Sequence, residues 1–265
     1  MSRDTVGHTT LFTFGVAVGC SLLVSIAVTW LRPIQERYAS IDRDRRVVVT
    51  AGLARKGEEL STREIAERFD ELDTRLVDLD TGGFTEAADP REYDYAAAAE
   101  AEGASVEIPK DADLAGIGRR APYMPVYLRY QDGRLESIVL PVYGRGMWST
   151  LKGYIALESD LRTVADLNFY EHGETPGIGD FVENADWQAR WSGKQVYDDN
   201  GKPALGIAAQ ALPPDDPARR YQVDAMSGAT KTARGVTGLL RYWLGDNAYG
   251  PLLDRLRGQQ EGDSP

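Results

Sequence analysis

Residues 126–142 read VYLRYQDGRLESIVLPV and carry the clearest fold signal in the chain. Two runs rich in β-branched and aromatic residues, Val126–Tyr130 and Leu135–Val142, flank a short segment that contains Asp132-Gly133. An Asp-Gly pair between two such runs is typical of a tight hairpin turn, because both residues tolerate positive φ. The stretch therefore predicts two antiparallel strands.

Helical patterns lie on both sides of this hairpin. Ser61 and Glu64 have capping-box spacing, and apolar residues at intervals of three and four follow them. The pattern predicts one helix that ends at the glycine pair 82–83. A later helical face is predicted to stop near Gly250-Pro251. The apolar residues are Ile65, Phe69, Leu72, Leu76 and Leu79 in the first helix, and Val236, Leu239, Leu240 and Trp243 in the second.

Two further segments complete the soluble part. Lys194–Tyr197 and Ala204–Ala208 flank Asn200-Gly201 and predict a second hairpin. Residues 86–102 are rich in Ala and Glu and predict either another helix or a mobile excursion. Strands and helices alternate without a regular βαβ order, so the expected fold class is α+β, a mixed sheet with helices.

The composition of the 265 residues excludes several classes of protein. One cysteine rules out an internal disulfide framework, and one cysteine with two histidines supplies too few ligands for an iron–sulfur cluster, a zinc finger or a three-histidine zinc site. The net charge of −11 argues against nucleic acid as a partner, because phosphate binding uses a surplus of Lys and Arg. An apolar content of 42% is sufficient for a core.

Residues 11–31 read LFTFGVAVGCSLLVSIAVTWL, a run of 21 residues without a charge. A helix of that length spans the hydrocarbon core of a bilayer, and Trp30 at its end suits the headgroup layer. We interpret the run as one uncleaved transmembrane anchor. The alternatives are a buried core helix, a cleaved signal peptide, and a lipoprotein signal that ends at Cys20.

The charge pattern divides the chain into segments. We expect an N-terminal tail at 1–10, the transmembrane anchor at 11–31, a linker at 32–46, a soluble domain at 47–257 and a disordered tail at 258–265. The linker carries a net charge of +2, whereas the part beyond residue 46 has 24 basic and 37 acidic residues, or −13. The positive-inside rule would keep the domain in the cytoplasm, although long domains can cross regardless of flanking charge.

The first candidate functional motif is Asp224–Thr232, which reads DAMSGATKT. It leads directly into the late helix, and the start of a helix offers free N–H groups and a positive dipole end to an anion. A phosphate is therefore expected at Thr230. The alternative is an ordinary Ser/Thr cap. The sequence is not a Walker loop.

The second motif is Tyr170–Asp180, which reads YEHGETPGIGD. Three glycines and a proline predict a rigid turn that approaches a ligand closely. His172 and Glu174 suggest a metal pair, but no further histidine is left to complete a site, and a structural loop is the alternative. A hydrolytic role for His172 would need a Gly-x-Ser-x-Gly elbow, which is missing.

The third motif is Pro141–Thr150, which reads PVYGRGMWST. Gly144-x-Gly146 lacks the third glycine of a dinucleotide fingerprint because Ser149 stands there, so we expect no direct NADH site. Gly146 beside Trp148 would let a planar ring approach the backbone and pack on the indole. The alternative is a buried aromatic residue at the end of a strand.

These three motifs follow one membrane anchor in the chain order Pro141–Thr150, Tyr170–Asp180 and Asp224–Thr232, and together they resemble the C subunit of the Na+-translocating NADH:quinone reductase. In that family, and in the related G subunit of the Rnf electron-transfer complex, the last threonine of Ser-Gly-Ala-Thr carries FMN through a phosphoester to the ribityl phosphate. The resemblance places this ester on Thr230, with Thr232 as a second candidate. The matching stretches are Val49–Leu53, Leu140–Leu157, Glu171–Gly179, Trp187–Trp191 and Val223–Thr230.

The resemblance also implies the rest of the FMN site and its maturation. The loops Gly146–Ser149 and Gly173–Ile178 would flank the isoalloxazine, and Glu174 would disfavour an anionic flavin. A separate flavin transferase would attach the FMN, because no base is evident near Thr230. The expected cofactor-binding residues are Ser227, Gly228, Ala229, Thr230 and Lys231, then Gly146, Met147, Trp148 and Ser149, and finally Glu174, Thr175, Gly177 and Ile178.

The implied function is electron relay by a flavoprotein within a larger membrane complex. The protein would sit in the bacterial inner membrane, with other subunits as partners and with its soluble domain in the periplasm, contrary to the charge signal. Two alternatives stay open: the G subunit of an Rnf-type complex, and a membrane-anchored scaffold without a cofactor.

Overall fold

The computed structural model describes residues 6–224 and 227–262, with the backbone alone at Val6, Glu36 and Glu261. The chain divides into two units, residues up to Arg45 and residues from Arg46 onward. The helices are α1 Val6–Thr50, α2 Thr62–Phe69, α3 Tyr95–Glu100, α4 Ala185–Gln188, α5 Thr230–Trp243 and α6 Gly250–Gly262. The strands are β1 Leu72–Asp78, β2 Phe84–Thr85, β3 Val106–Glu107, β4 Arg119–Arg120, β5 Tyr123–Gln131, β6 Arg134–Arg145, β7 Thr150–Glu158, β8 Val164–Glu171, β9 Gly206–Ile207 and β10 Gln222–Val223.

Helix α1 contains the whole apolar run 11–31 and is the one helix of the described residues that is long and apolar enough to cross a membrane. The helix does not end with that run. The segment expected as a linker, 32–46, continues it as far as Thr50. No glycine and no proline other than Pro33 interrupts residues 32–50, so the backbone has little reason to leave the helix. Residues 1–5 of the expected tail lie outside the described residues.

The second unit is built on a six-stranded antiparallel sheet with the strand order β2-β1-β5-β6-β7-β8. The predicted hairpin is confirmed: β5 pairs with β6 with Leu128 opposite Ile138, and the turn residues Asp132 and Gly133 have φ of 51° and 76°. The expected α+β class is confirmed as well.

Both faces of this sheet are covered, because side chains that alternate along each strand enter two different cores. On one face the sheet packs against α5 and α6, and on the other against residues 46–50 at the end of α1 and against α2. The first core includes Val126, Leu128, Ile138, Leu140, Ile155 and Leu240, and the second includes Val47, Phe69, Tyr127, Val139 and Tyr154. Burial on both faces explains why β6 reads as a nearly continuous apolar run.

The single helix predicted from Ser61 to the glycine pair 82–83 is wrong in its second half. The capping box at Ser61 and Glu64 is present, but α2 ends at Phe69. Residues Leu72–Asp78 form β1 and pair along their whole length with β5. The apolar spacing fits a helix, yet pairing with a buried strand outweighs that local preference.

Three smaller expectations also need correction. The second predicted hairpin is present but short: Tyr197 and Pro203 form an antiparallel bridge, with Asp198 N donating to Lys202 O at 2.9 Å and Ala204 N donating to Val196 O at 2.8 Å. Beyond it, β9 pairs in parallel with β10 instead. Gly250-Pro251 begins α6 rather than ending a helix, as proline suits a first helical turn. Helix α6 also includes 258–262 of the expected disordered tail, and 263–265 lie outside the described residues. Within 86–102, the only helix is the short α3.

Candidate functional site

Helix α5 is held close to the end of β6 by glycines on its inner face. A Cβ atom built on Gly235 would lie 2.4 Å from the carbonyl oxygen of Arg145, and one on Gly238 would lie 2.2 Å from that of Leu114. On the strand side, a Cβ on Gly144 would lie 2.5 Å from Leu239 Cβ. None of these three glycine positions has room for a side chain, so α5 lies close to the end of β6 and to the loop that follows it.

The first turn of α5 is an open anion-binding end. Ala229 precedes the helix, and no side chain of the described residues caps it. The N–H groups of an uncapped first turn are available to an anion, and the helix dipole favours negative charge there. Thr230 and Lys231 are exposed at this end, as are Ser227 and Gly228 before it. The arrangement expected from the first motif is therefore present, apart from residues 225 and 226, which lie outside the described residues.

Asp224, which precedes this helix in the chain, is bonded to the segment 212–219. Its Oδ1 accepts a hydrogen bond from Leu212 N at 2.9 Å and lies 3.4 Å from an Arg219 guanidinium nitrogen. The Leu212 hydrogen bond, aided by the Arg219 charge, holds the pKa of this carboxyl below its ordinary value. At neutral pH Asp224 is thus a charged partner of Leu212 N and of the Arg219 guanidinium.

Glu174 lies at the centre of the site, with only 5% of its surface exposed. Its Oε1 accepts hydrogen bonds from Met147 N at 2.9 Å and from Trp148 N at 3.1 Å, and its Oε2 accepts one from Thr232 Oγ1. Three segments far apart in sequence therefore meet at one carboxylate.

The two loops of the site are joined at their surfaces as well. Trp148 Nε1 donates to Thr175 Oγ1 at 3.0 Å, and Gly173 N donates to Ser149 Oγ at 2.5 Å. Trp148 nevertheless remains 64% exposed, and Met147 and Ile178 are exposed beside these contacts in the sequence. Exposed apolar side chains on adjoining loops are typical of a surface that covers a ligand.

His172 and Glu174, the metal pair suggested by the second motif, do not have side chains that share one metal position. His172 Nδ1 accepts a hydrogen bond from Glu174 N at 3.1 Å, and its Nε2 lies 3.2 Å from Glu183 Oε1. The Glu174 carboxylate is bonded to the three donors described above. In the part of the chain that the structure describes, no group of three His, Cys, Asp or Glu side chains is placed to hold a metal.

The two candidate threonines differ sharply in access. Thr232 is 1% exposed and donates its hydroxyl to Glu174, whereas Thr230 is exposed at the helix start. A reagent in solution can therefore reach the hydroxyl of Thr230 but not that of Thr232.

Two features of the site are not predicted by any of the three motifs. The close approach of α5 depends on Gly235 and Gly238, whose spacing of three residues inside a helical pattern was the available signal. The bond from Thr232 to Glu174 joins residues 58 positions apart, and no local pattern could reveal it.

The geometry suits a ligand with an anionic end and a planar end. An uncapped helix start with an exposed threonine fits a phosphate, and the exposed Trp148 beside Gly146 fits an aromatic ring. Residues 146–245 match the model of the FMN-binding domain, and they include both loops and all of α5. Fold and site thus define an FMN-binding flavoprotein.

Comparison with known relatives identifies one family within this class of flavoproteins. The chain is 39% identical over 257 residues to the C subunit of the Na(+)-translocating NADH-quinone reductase of Pseudomonas aeruginosa, covering 97% of this chain and 98% of the relative. The corresponding C subunit of Yersinia pestis is 35% identical over 262 residues, covering 97% and 95%. The chain belongs to the family formed by the C subunits of the Na(+)-translocating NADH-quinone reductases.

Solved structures agree with this assignment. The crystal structure of Shewanella oneidensis NqrC matches with a TM-score of 0.74 and 35% identity, over 83% of this chain and 98% of that one. The C subunit of the Parabacteroides distasonis reductase matches with a TM-score of 0.63 and 23% identity, over 84% and 96%, which is a likeness of fold. The family expected from the sequence is confirmed, and with it FMN as the cofactor.

Proposed function

We infer that the protein carries FMN covalently on Thr230 and relays electrons between neighbouring redox centres of a Na+-translocating NADH:quinone reductase. The observation that carries this inference is the exposed Thr230 hydroxyl at the uncapped start of α5, beside the loop that bears Trp148. When bound, FMN supplies the redox chemistry, accepting and passing on electrons. The protein holds the flavin and sets its surroundings.

Different residues would bind the phosphate and the ring of the FMN. The N–H groups of the first turn of α5 and the exposed ammonium of Lys231 favour the phosphate. Ser227 and Gly228 lie directly before the turn, and Gly228 has φ of +81°, a conformation that glycine takes without strain. Trp148, Met147 and Ile178 offer apolar surface to the ring.

Attachment requires a second protein. A threonine hydroxyl is a weak nucleophile without a base, and no side chain of the described residues is hydrogen-bonded to that of Thr230. A flavin transferase would supply the base and a pyrophosphate-linked flavin donor. The Thr230 oxygen would bond to the FMN phosphorus, its proton would pass to the base, and the remainder of the donor would leave with the electron pair of the broken P–O bond.

The covalent flavin is tested by producing the full chain in an exporting host with and without a flavin transferase. We expect the denatured protein to be fluorescent on a gel only when the transferase is present. A flavin held by contacts alone would be lost on denaturation and leave a dark band. A cofactor-free scaffold would be colourless before denaturation too, so the two failures are distinguishable.

The apolar run in α1 supports a single-pass anchor in the bacterial inner membrane, with the other subunits of the complex as partners. We place the soluble domain in the periplasm, because a covalent link keeps FMN in a compartment from which the free cofactor would diffuse away. A C-terminal alkaline phosphatase fusion, active only outside the cytoplasm, should therefore be active, and a fluorescent protein that folds only in the cytoplasm should be dark. The opposite pair of results would overturn this orientation.

A further inference from the structure

The geometry points to Glu174 as a positioning residue: its buried carboxylate sets the rotation of α5 and the path of the Trp148 loop, so that Thr230 and Trp148 face one FMN. This role rests on the proposed attachment at Thr230. Its physical basis is the set of three hydrogen bonds from Met147 N, Trp148 N and Thr232 Oγ1.

The bond to Thr232 determines the direction in which Thr230 points. An α-helix turns by about 100° per residue, so side chains two positions apart differ by about 200° around the axis. When Thr232 faces inward to Glu174, Thr230 must face outward. The burial of Thr232 and the exposure of Thr230 agree with this rotation.

The bonds to Met147 and Trp148 fix the second element of the site. One carboxylate oxygen receives two successive backbone N–H groups, which bends the loop around Glu174 and directs the Trp148 side chain outward. Both N–H groups come from the segment that is expected to face the ring. The first turn of α5 and the loop 146–149 that bears Trp148 are therefore hydrogen-bonded to the same carboxylate.

The surroundings allow Glu174 little freedom. A Cβ atom on Gly146 would lie 2.5 Å from Glu174 Oε1, and one on Gly179 would lie 2.8 Å from Glu174 Cβ. A buried carboxylate is costly unless its oxygens are satisfied, and here they receive three donors from two other segments. Loss of the carboxylate would leave those donors without a partner and release both segments.

The charge of Glu174 gives a second effect besides position. A negative charge behind the tryptophan loop opposes further negative charge on a flavin that lies over this loop. Glu174→Gln preserves shape and an acceptor for the two N–H groups but removes the charge. It should therefore raise the midpoint potential of the bound flavin, an effect that a purely structural role would not produce.

The test uses the full chain produced with a flavin transferase and compares rates of covalent FMN incorporation. We expect Glu174→Ala and Thr232→Val to load about tenfold more slowly than wild type, and Thr232→Ser, which retains the hydroxyl, to load normally. The matched control is Thr237→Val, because Thr237 lies on the same helix but bonds to Ile207 N and Ala233 O. That variant should lose stability without losing incorporation.

Amide hydrogen exchange in flavin-free protein separates this inference from the proposed function. Glu174→Ala should expose the N–H groups of Met147 and Trp148 to exchange, whether or not FMN binds. A wild type that never takes up FMN refutes the attachment, and the change in exchange in the same protein would then show only that Glu174 holds the loop at Met147 and Trp148. The positioning role is refuted if Glu174→Ala and Thr232→Val load at the wild-type rate with the two amides still protected. If Glu174→Ala does not fold, the comparison of Thr232→Val with Thr232→Ser decides by itself.

Discussion

Replacing Thr230 by alanine should remove all covalently bound flavin, because the hydroxyl that forms the ester is lost. The change should hardly affect stability, since the side chain is exposed and alanine suits a helical position. Flavin fluorescence of the denatured full chain measures the first effect, and thermal unfolding measures the second. We expect a dark band from a protein with the unfolding temperature of the flavin-free wild type.

Two further substitutions make this result specific. Thr230→Ser retains a hydroxyl at the same place and should remain fluorescent, and Thr232→Ser leaves the proposed ester untouched. A Thr230→Ala protein as bright as wild type would mean that the ester is elsewhere. Complete loss of fluorescence in Thr232→Val with Thr230→Ala unaffected would transfer the assignment to the buried threonine.

The second large effect concerns the packing of α5. Gly235→Ala and Gly238→Ala would bring a methyl group within 2.4 Å and 2.2 Å of the backbone oxygens of Arg145 and Leu114. Neither oxygen is the end of a flexible side chain, so the helix must move away. Overpacking of this kind costs about 1–3 kcal/mol. Urea unfolding should show this loss, and flavin incorporation should fall as the helix start moves from the tryptophan loop.

A control for these two variants is available on α6. A Cβ atom on Gly258 would have no neighbour within 4 Å, so Gly258→Ala should leave stability unchanged or raise it by up to about 1 kcal/mol through helix propensity. If Gly235→Ala and Gly238→Ala behaved like Gly258→Ala, the close approach of α5 to Arg145 and Leu114 would not exist in solution.

The sequence could predict features that depend on neighbours in the chain. The Asp132-Gly133 turn and the capping box at Ser61 are set within a few residues, and both are present. Helix α5 likewise follows from its apolar face. Beyond Phe69 the helical spacing of apolar residues continues, yet Leu72–Asp78 form the strand β1. The conformation of β1 depends on pairing with β5, which lies about 50 residues further along the chain.

The candidate site shows the same division. The local motif predicts a helix that starts near Thr230, and α5 starts there. For Trp148 the motif left a ring-packing surface and a buried aromatic residue open, and the side chain is exposed. The inward direction of Glu174 could not be predicted, because it depends on donors in two other segments. The family resemblance implied that the loop with Glu174 flanks the flavin and that the charge of Glu174 acts on it. In the structure the carboxylate is hydrogen-bonded to Met147, Trp148 and Thr232.

The attachment of FMN to Thr230 is tested most directly by mass spectrometry of the mature full chain after tryptic digestion. Trypsin cleaves after Arg220 and Lys231, so the peptide 221–231 contains Thr230, while Thr232 falls in the next peptide. We predict that this peptide gains the mass of one FMN less one water, and that fragmentation locates the gain on Thr230 and not on Ser227. An unmodified 221–231 peptide from fluorescent protein, with the flavin on any other residue, would contradict the attachment of FMN to Thr230.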